Sequence, residues 1–192
     1  MRRKPEEARA TILAATERLL RKRGTGTPTL DAVAREARCA KGLVNYHFPS
    51  KAALLAAIAE AMGRERTRRW QSTLGGSSPE VAIRATWDLV LAECRDGTSS
   101  AWAALRAERD RTTVQTVSSQ VAGFGRSLAT SLATMLSALE LKANVPVSEL
   151  GWYLAAVVHG MELMVDAGAD PGELQGAYAA AWLGILSVTG PA

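Results

Sequence analysis

The composition of this 192-residue chain is that of a soluble globular protein. Hydrophobic residues make up 47% and charged residues 22%, a balance that lets a chain of this length bury a core. Its two cysteines are too few for a disulfide framework, and its longest strongly apolar stretch, Leu150 to Met161, is shorter than the roughly 20 residues that cross a bilayer. We therefore expect a cytoplasmic protein without a membrane span, and exclude the disulfide-rich class.

The charge of the chain is unevenly distributed. Residues 1–51 contain 12 Lys and Arg against 5 Asp and Glu, whereas residues 52–192 contain 11 against 14. A basic head on a mildly acidic body suggests that the head meets a polyanion such as nucleic acid. A solvated basic face would explain the same charges equally well.

A three- to four-residue apolar period runs through nearly every segment and predicts helices. The first predicted helix stops near Gly24, and a short second helix follows Thr29, a plausible N-cap. Pro49 ends a third helix. A fourth starts at Lys51 and continues to about residue 73, before the Gly- and Ser-rich residues 75–78.

The next segments predict three more helices. One begins at Pro79, where proline suits the first turn, and ends before Gly97. A shorter helix follows around Trp102. A long apolar stripe then covers residues 114–139, and Asn144-Val145-Pro146 ends that helix. No run of the sequence shows the alternation expected of half-buried strands.

The last two predicted helices, at about 148–167 and 171–189, are apolar on several faces. The second opens with Asp170-Pro171-Gly172-Glu173, which combines an N-cap, a first-turn proline and an acidic third residue. Helices this apolar are buried on more than one side, which one subunit of this size struggles to provide. We therefore expect an all-α fold of about nine helices, and a homodimer that pairs these two helices with their copies.

The segment from Thr29 to Phe48 has the pattern of a helix-turn-helix. Such a motif needs small apolar residues between its two helices and a polar outer face on the second helix, which enters the major groove. The apolar set comprises Leu30, Val33, Ala34, Ala37, Val44 and Phe48, and the outer face comprises Lys41, Gly42, Asn45, Tyr46 and His47. The pattern predicts a DNA-binding head.

Residues 7–62 resemble the N-terminal domain of the TetR (tetracycline repressor) family of transcriptional regulators. The residues that carry the resemblance are Thr29, Val33-Ala34, Ala37, Lys41-Gly42-Leu43, Tyr46-His47-Phe48, Pro49-Ser50-Lys51 and Leu54-Leu55. Beyond this part, the body is similar to the family only in its helical plan. The resemblance implies a DNA-binding domain at 1–50 with its motif at 29–48, a connecting helix at 51–73, and a ligand-binding and dimerisation domain at 74–192.

The resemblance also implies which residues contact DNA. Thr29, Tyr46 and Lys51 match positions that hold phosphates, and Lys41, Gly42, Leu43, Asn45 and His47 match groove-facing positions. Phosphate contacts fix register, whereas lysine can donate to guanine, asparagine can pair with adenine and leucine can touch a thymine methyl. His47 suits packing beside the next helix as well as it suits a DNA contact.

Three residues depart from the family pattern. Arg38 stands where the family usually has a turn glycine, and a left-handed backbone there would cost arginine on the order of 1–2 kcal/mol. Leu43 replaces a common threonine and Asn45 replaces a common tyrosine, so the bases that the head reads stay open.

For the body, the resemblance implies a small-molecule pocket. Candidate lining residues are Trp87, Leu91, Cys94, Trp102, Arg106, Phe124, Leu128, Met135, Tyr153, His159 and Glu162. Apolar walls with a few polar groups are typical of such pockets. Taken one at a time, these residues fit an ordinary core at least as well.

No motif in the sequence predicts an enzyme, a cofactor or a metal site. His159-x-x-Glu162 could be half of a metal site, but the body has no second histidine to complete it. The chain also lacks a Gly-x-Ser-x-Gly motif, a P-loop and a Cys-x-x-Cys motif.

We therefore predict a homodimeric, non-enzymatic transcriptional regulator, a repressor that a small-molecule effector releases from a palindromic DNA operator. Two alternatives remain open. One is a constitutive DNA-binding protein without an effector. The other is a helical-bundle ligand carrier or enzyme whose basic head is incidental.

Overall fold

The computed structural model describes residues 5–22, 26–75 and 78–191. The described part contains α1 (Pro5–Leu20), α2 (Leu30–Glu36), α3 (Lys41–His47), α4 (Lys51–Leu74), α5 (Pro79–Arg95), α6 (Thr98–Arg106), α7 (Arg111–Ala138), α8 (Val147–Asp166) and α9 (Pro171–Ser187). It also contains two three-residue strands, β1 (Leu141–Ala143) and β2 (Thr189–Pro191). The predicted all-α fold with about nine helices is confirmed.

The connection between α7 and α8 differs from the sequence prediction. The predicted helix extended to Asn144, but α7 ends at Ala138 and Glu140 takes a left-handed φ of 55°. β1 then pairs with β2 in an antiparallel ribbon, with Lys142 opposite Gly190. Strands this short have no detectable alternation of their own, so only the pairing of distant segments reveals them.

Two predicted helix ends fall on residues outside the described ranges. The predicted stop at Gly24 lies outside them, and α1 ends at Leu20. The middle of the predicted break at residues 75–78 lies outside them as well. The predicted caps, in contrast, are observed. The Thr29 hydroxyl accepts a hydrogen bond from the amide of Ala32, and Asp170 accepts one at the start of α9.

The chain forms two compact units, and each unit combines two stretches of sequence. The first comprises Met1–Met62 with Asp96–Gln120, and the second comprises Gly63–Arg95 with Val121–Ala192. The long helices α4 and α7 therefore each contribute residues to both units. The functional division into residues 1–50, 51–73 and 74–192 stays a prediction.

In the first unit, α1, α2 and α3 enclose a small apolar core. Its buried members are Ile12, Ala15, Val33, Ala34, Ala37, Val44, Phe48 and Leu54. Helices of seven residues, such as α2 and α3, are not stable alone in water. Burial of this shared core is therefore what keeps both helices folded.

α6 also belongs to the first unit and packs against the end of α1. The Arg21 guanidinium lies 2.8 Å from Oδ1 of Asp96 and donates to the Thr98 hydroxyl at 2.7 Å. Gly97 has a left-handed φ of 81°, and a Cβ built on it would lie 2.3 Å from the carbonyl oxygen of Arg21. Glycine is therefore needed at this contact for both its backbone and its size.

In the second unit, α7 and α8 cross at a pair of glycines. A Cβ built on Gly151 would lie 2.5 Å from the carbonyl oxygen of Gly125 and 2.6 Å from the Cβ of Ala129. The large side chains of the surrounding core include Trp70, Trp87, Phe124, Leu128, Leu132, Met135, Leu154, Tyr178 and Trp182. This unit owes its core to four helices, α5, α7, α8 and α9, and to the end of α4.

The turn between α2 and α3 closes with Arg38 in the left-handed conformation, at a φ of 52°. The amide of Cys39 donates to the carbonyl of Ala34 at 3.0 Å. The amide of Arg38 donates to the carbonyl of Arg35 at 3.1 Å. These two bonds form a Schellman motif, in which glycine is favoured at the left-handed position because it has no Cβ.

Replacing Arg38 with glycine should stabilise the protein by about 1 kcal/mol, because glycine adopts this φ without a Cβ clash. For a chain of this size, we expect a melting temperature higher by roughly 2–4 °C. Arg35→Gly is the matched control, since it removes the same side chain from the last turn of α2, where the backbone is still right-handed, and should destabilise by up to about 1 kcal/mol. A thermal melt in which Arg38→Gly shows no gain would contradict the prediction.

Candidate DNA-binding surface and body site

A single buried side chain packs α3 against the core of the first unit. Val44 is fully buried, and Phe48 is buried just after the helix ends. At about 100° per residue, Gly42 and Tyr46 point away from the core when Val44 points into it. Tyr46 is accordingly 78% exposed. The helix therefore presents one continuous outer face.

The predicted DNA contacts all lie in this head, and most are exposed. The exposed residues are Thr29, Lys41, Gly42, Leu43, Asn45 and Tyr46, while His47 and Lys51 are half-buried. A Cβ built on Gly42 would meet nothing within 4 Å. Packing inside the protein therefore does not require a glycine at this position.

The hydroxyl of Thr29 caps α2 as a hydrogen-bond acceptor and can still donate its own proton. Its Oγ1 accepts from the amide of Ala32 at 3.2 Å. A threonine hydroxyl can accept and donate at the same time. The capping bond therefore leaves the hydroxyl proton available to an outside acceptor such as a phosphate.

His47 lies among rings. Its ring centroid is 5.1 Å from that of Tyr46 and 6.5 Å from that of Phe48. The guanidinium of Arg9 in turn lies 5.2 Å from the centroid of Phe48. Both interpretations of His47, packing and DNA contact, fit this half-buried position.

Both predicted DNA-contacting lysines are held by carboxylates of the same unit. Lys41 Nζ lies 2.9 Å from Oδ1 of Asp31, and this pair is exposed on both sides. Lys51 Nζ lies 3.0 Å from Oε1 of Glu108, whose side chain is only 22% exposed. Glu108 was not among the residues predicted from sequence, because it is far from the helix-turn-helix along the chain.

Thr27 gives Glu108 a second partner, since its hydroxyl donates to the same Oε1. The hydrogen bond from Thr27, and after it the one from Lys51, lowers the pKa of Glu108 below its usual range, although partial burial acts in the opposite direction. The carboxylate is therefore ionised at neutral pH. The result is a short chain of contacts from the residues before α2, through Glu108, to the start of α4.

The body contains a buried charge cluster centred on Arg66. Its Nε lies 2.8 Å from Oε2 of Glu93, and its Nη2 lies 2.6 Å from Oε1 of Glu162. Its Nη1 lies 3.1 Å from Nε2 of His159, and its guanidinium stands 4.5 Å from the centroid of Phe124. These contacts join α4, α5, α7 and α8 within the second unit.

The two carboxylates determine the state of this buried arginine. Burial by itself would lower the pKa of Arg66, but the charges of Glu162 and then Glu93 outweigh burial and raise it. Glu93 also accepts from the indole of Trp70 at 3.2 Å. Arg66 therefore stays charged, and its charge is matched by groups on two other helices.

Sequence reasoning found His159 and Glu162 but missed Arg66 and Glu93. A signal was present in the helical period, because Met62, Arg66 and Trp70 follow each other at steps of four on the buried face of α4. A charged residue on such a face points to a buried partner. The basic run from Arg64 to Arg69 obscured this signal, since Arg64 and Arg68 are exposed and Arg69 is half-buried.

The remaining pocket candidates divide between the two units. In the second unit, Trp87, Cys94, Phe124, Leu128 and Met135 are buried, Leu91 is half-buried, and Tyr153 is exposed on α8. In the first unit, Trp102 is buried and Arg106 is exposed. The eleven candidates thus do not line one site within a single unit.

A small open groove lies between α5 and α9 in the second unit. Its volume is about 190 Å³, and its lining comprises Glu80, Ile83, Arg84, Trp87, Gln175, Tyr178 and Ala179. Drug-sized ligands usually occupy pockets of roughly 300–1,000 Å³. The groove therefore suits a small ligand or a fragment of a larger one.

None of the described helices has the length and apolarity needed to cross a membrane. Within the described ranges, no three His, Cys, Asp or Glu side chains are grouped as a metal site would require. Cys39 and Cys94 are not joined in a disulfide.

The buried cluster generates a stability prediction. Arg66→Met should destabilise the protein by about 3–5 kcal/mol, because it leaves two carboxylates buried without their cation. Arg68→Met is the matched control. Arg68 lies two residues after Arg66 on α4 and pairs with Glu65 at 2.6 Å, but both side chains of this pair are exposed. That control should change the stability by less than about 1 kcal/mol. Urea unfolding measures both, and equal losses would contradict the prediction.

Residues 12–58 match the family model described as "Bacterial regulatory proteins, tetR family". No curated protein gives a significant match to the sequence.

Solved structures extend the likeness to nearly the whole chain. A putative TetR-family transcriptional regulator from Mesorhizobium loti superposes with a TM-score of 0.80 at 13% identity, over 98% of this chain and 100% of its own. Reduced NemR from Escherichia coli gives 0.75 at 18%, over 97% and 98%. A putative transcriptional regulator from Saccharomonospora viridis, solved with choline, gives 0.70 at 19%, over 91% and 95%. At these identities the likeness establishes the fold.

Proposed function

We propose that the chain is a member of the TetR family of bacterial regulatory proteins, whose model matches residues 12–58, and a homodimeric repressor that leaves a palindromic operator when a small molecule binds. The observation that carries DNA binding is the outer face of α3. The buried side chain of Val44 packs this helix against the core. The exposed residues of the helix offer hydrogen-bond donors and an acceptor, together with a glycine that has open space around it. That arrangement fits a helix that enters the major groove.

The exposed groups of the head divide into two kinds of contact. Thr29, Tyr46 and Lys51 carry hydroxyl or ammonium donors suited to phosphates, which fix the register of the head on DNA. Lys41 and Asn45 carry groups that pair with base edges. Gly42 leaves room for the DNA to approach the backbone of α3. Sequence preference therefore depends chiefly on Lys41 and Asn45.

The outer faces of α8 and α9 support the homodimer. Large apolar side chains are exposed there in the single subunit: Trp152, Tyr153, Leu163, Met164 and Leu183. On α8 these side chains form two rows, since Trp152 shares a face with Leu163 and Tyr153 shares one with Met164. An exposed apolar face of this kind marks an interaction surface. A second copy of the chain is the occupant that we propose, because a two-fold dimer covers the same patch on both subunits and matches a palindromic operator.

The proposed effector acts through linkage. A ligand releases the protein from DNA only if it binds the conformation that does not fit the operator more tightly than the conformation that does. The choline complex of the Saccharomonospora viridis protein supports a small-molecule ligand for a protein of this fold. The groove between α5 and α9 and the surroundings of the Arg66 cluster are two places in the second unit where polar and apolar groups meet.

DNA binding is tested with two variants of α3. Asn45→Ala should weaken binding to the selected palindrome while leaving binding to unrelated duplexes nearly unchanged, because asparagine contacts bases. Tyr46→Phe should weaken both by similar factors of roughly 3–10, because it loses a phosphate contact. Thr134→Val on α7 is the control: it removes an exposed hydroxyl that donates to the carbonyl of Thr130 in its own helix, and it should bind like the wild type. Fluorescence anisotropy measures these affinities, and weak binding to all duplexes alike would refute the proposal.

The dimer interface is tested by placing a charge on it. Leu163 and Leu183 are 71% and 62% exposed, so Leu163→Glu and Leu183→Glu should fold normally but dissociate to monomers, because each buries an unpaired charge in the dimer. Val81→Glu, at a position that is 55% exposed on α5, is the matched control and should stay dimeric. Sedimentation equilibrium checks the masses. A wild-type monomer would refute the interface.

A further inference from the structure

The carboxylate of Glu108 ties the α6–α7 connection to Lys51, one of the predicted phosphate-binding residues of the head. Its Oε1 is 3.0 Å from Lys51 Nζ and accepts the hydroxyl of Thr27 as well. All three residues belong to the first unit. Thr27 lies two residues before the N-cap of α2, and Lys51 is the first residue of α4. One carboxylate therefore reaches two of the segments that carry the proposed phosphate donors.

The position of Glu108 is fixed by its chain neighbours. The amide of Ala107, the C-cap of α6, donates to the carbonyls of Ala103 and Leu105. Two residues after Glu108, Oδ1 of Asp110 accepts a hydrogen bond from the amide of Thr113 at 3.0 Å in the first turn of α7. With a helix end on each side and Thr27 as a second partner, the carboxylate stays beside Lys51 rather than moving freely in solvent.

The charges decide what this contact does to an incoming phosphate. The hydrogen bonds from Thr27 and Lys51 keep Glu108 ionised, so its negative charge offsets the positive charge of Lys51. An ammonium has three donors and can hold a second oxygen. A phosphate that takes this place, however, lies within a few ångströms of the carboxylate, and like charges at that distance repel.

The other lysine of the surface provides a contrast. Lys41 pairs with Asp31, but both side chains are more than half exposed, so water screens the pair and it holds the lysine weakly. Glu108 is mostly covered and has a second hydrogen bond. The more strongly held lysine is therefore the one whose partner comes from outside the helix-turn-helix.

We propose that Glu108 competes with DNA phosphate for Lys51 and so limits the affinity of the head for DNA. This inference rests on the proposed DNA binding. Glu108 is a positioning residue in this role: it touches no base and acts on DNA through the ammonium of Lys51. Because the affinity that it removes comes from a phosphate contact, its effect is independent of sequence and depends on salt.

The test uses the full-length protein and a palindrome that the wild type selects from a random duplex library. Glu108→Gln keeps the shape of the side chain and an oxygen for Thr27 but removes the charge. We expect it to bind the palindrome and unrelated duplexes about 3–10 times more tightly at low salt, by freeing one cation for phosphate. We also expect a plot of log K against log salt to steepen by up to about one unit.

A double-mutant cycle shows whether Lys51 transmits the effect. In a Lys51→Met background, Glu108→Gln should change affinity less than about twofold, because the competed cation is gone. Asp31→Asn is the matched control: it also removes one carboxylate from a lysine of the same surface. Its effect should persist in the Lys51→Met background. Melting temperatures measured in parallel identify any variant that fails to fold, and Thr27→Val, which loosens Glu108 without changing charge, then takes its place with a smaller gain in affinity.

The outcomes separate this inference from the proposal beneath it. A wild-type protein that selects no palindrome overturns DNA binding, and the competition with it. If the wild type selects one and Glu108→Gln binds equally or more weakly, then the competition alone is wrong. If Glu108→Gln binds more weakly than the wild type, Glu108 orients Lys51 for DNA instead of withholding it. A gain that persists fully in the Lys51→Met background would also overturn it.

Discussion

The head of this protein depends on one constraint, the inability of seven-residue helices to stand alone. α2 and α3 make few internal hydrogen bonds each, so burial of their shared core with α1 holds them in place. Val44 is the pivot of this arrangement, because its burial turns Tyr46 and Gly42 outward. The same burial that folds the head therefore creates the surface that we propose for DNA. A strained arginine in the connecting turn is tolerated because the core on both sides fixes it.

Charges are used differently in the two units. In the first unit, carboxylates stand beside Lys41 and Lys51 at a surface proposed to meet a polyanion, so local pairing tempers the basic character of the head. In the second unit, Arg66 is buried with Glu93 and Glu162, where each charge depends on the others being present. The first arrangement leaves the lysines open to exchange partners. The second fixes the end of α4 against α5 and α8.

Much of the fold was predictable because the sequence signals of a helix lie within the helix and at its ends. The apolar period located the helices, and the caps at Thr29 and Asp170 were identified from residue type alone. The end of α7 was not, because Glu140 adopts a left-handed φ and the next three residues pair with the C-terminal strand. The candidate DNA-binding surface was likewise predictable only in part. The outer face of α3 followed from its sequence, but Glu108 did not, since it is 57 residues from Lys51 along the chain.

The sequence by itself determined the all-α fold, the helix-turn-helix and the set of side chains that this motif exposes. Each of these follows from residue type and spacing within about 20 neighbouring positions, over which periodicity and caps act. Tertiary structure decided which charges meet: Arg66 with its two carboxylates, and Lys51 with Glu108. Those pairings join helices distant in sequence, and their strength depends on burial and distance. Neither quantity exists until the chain has folded.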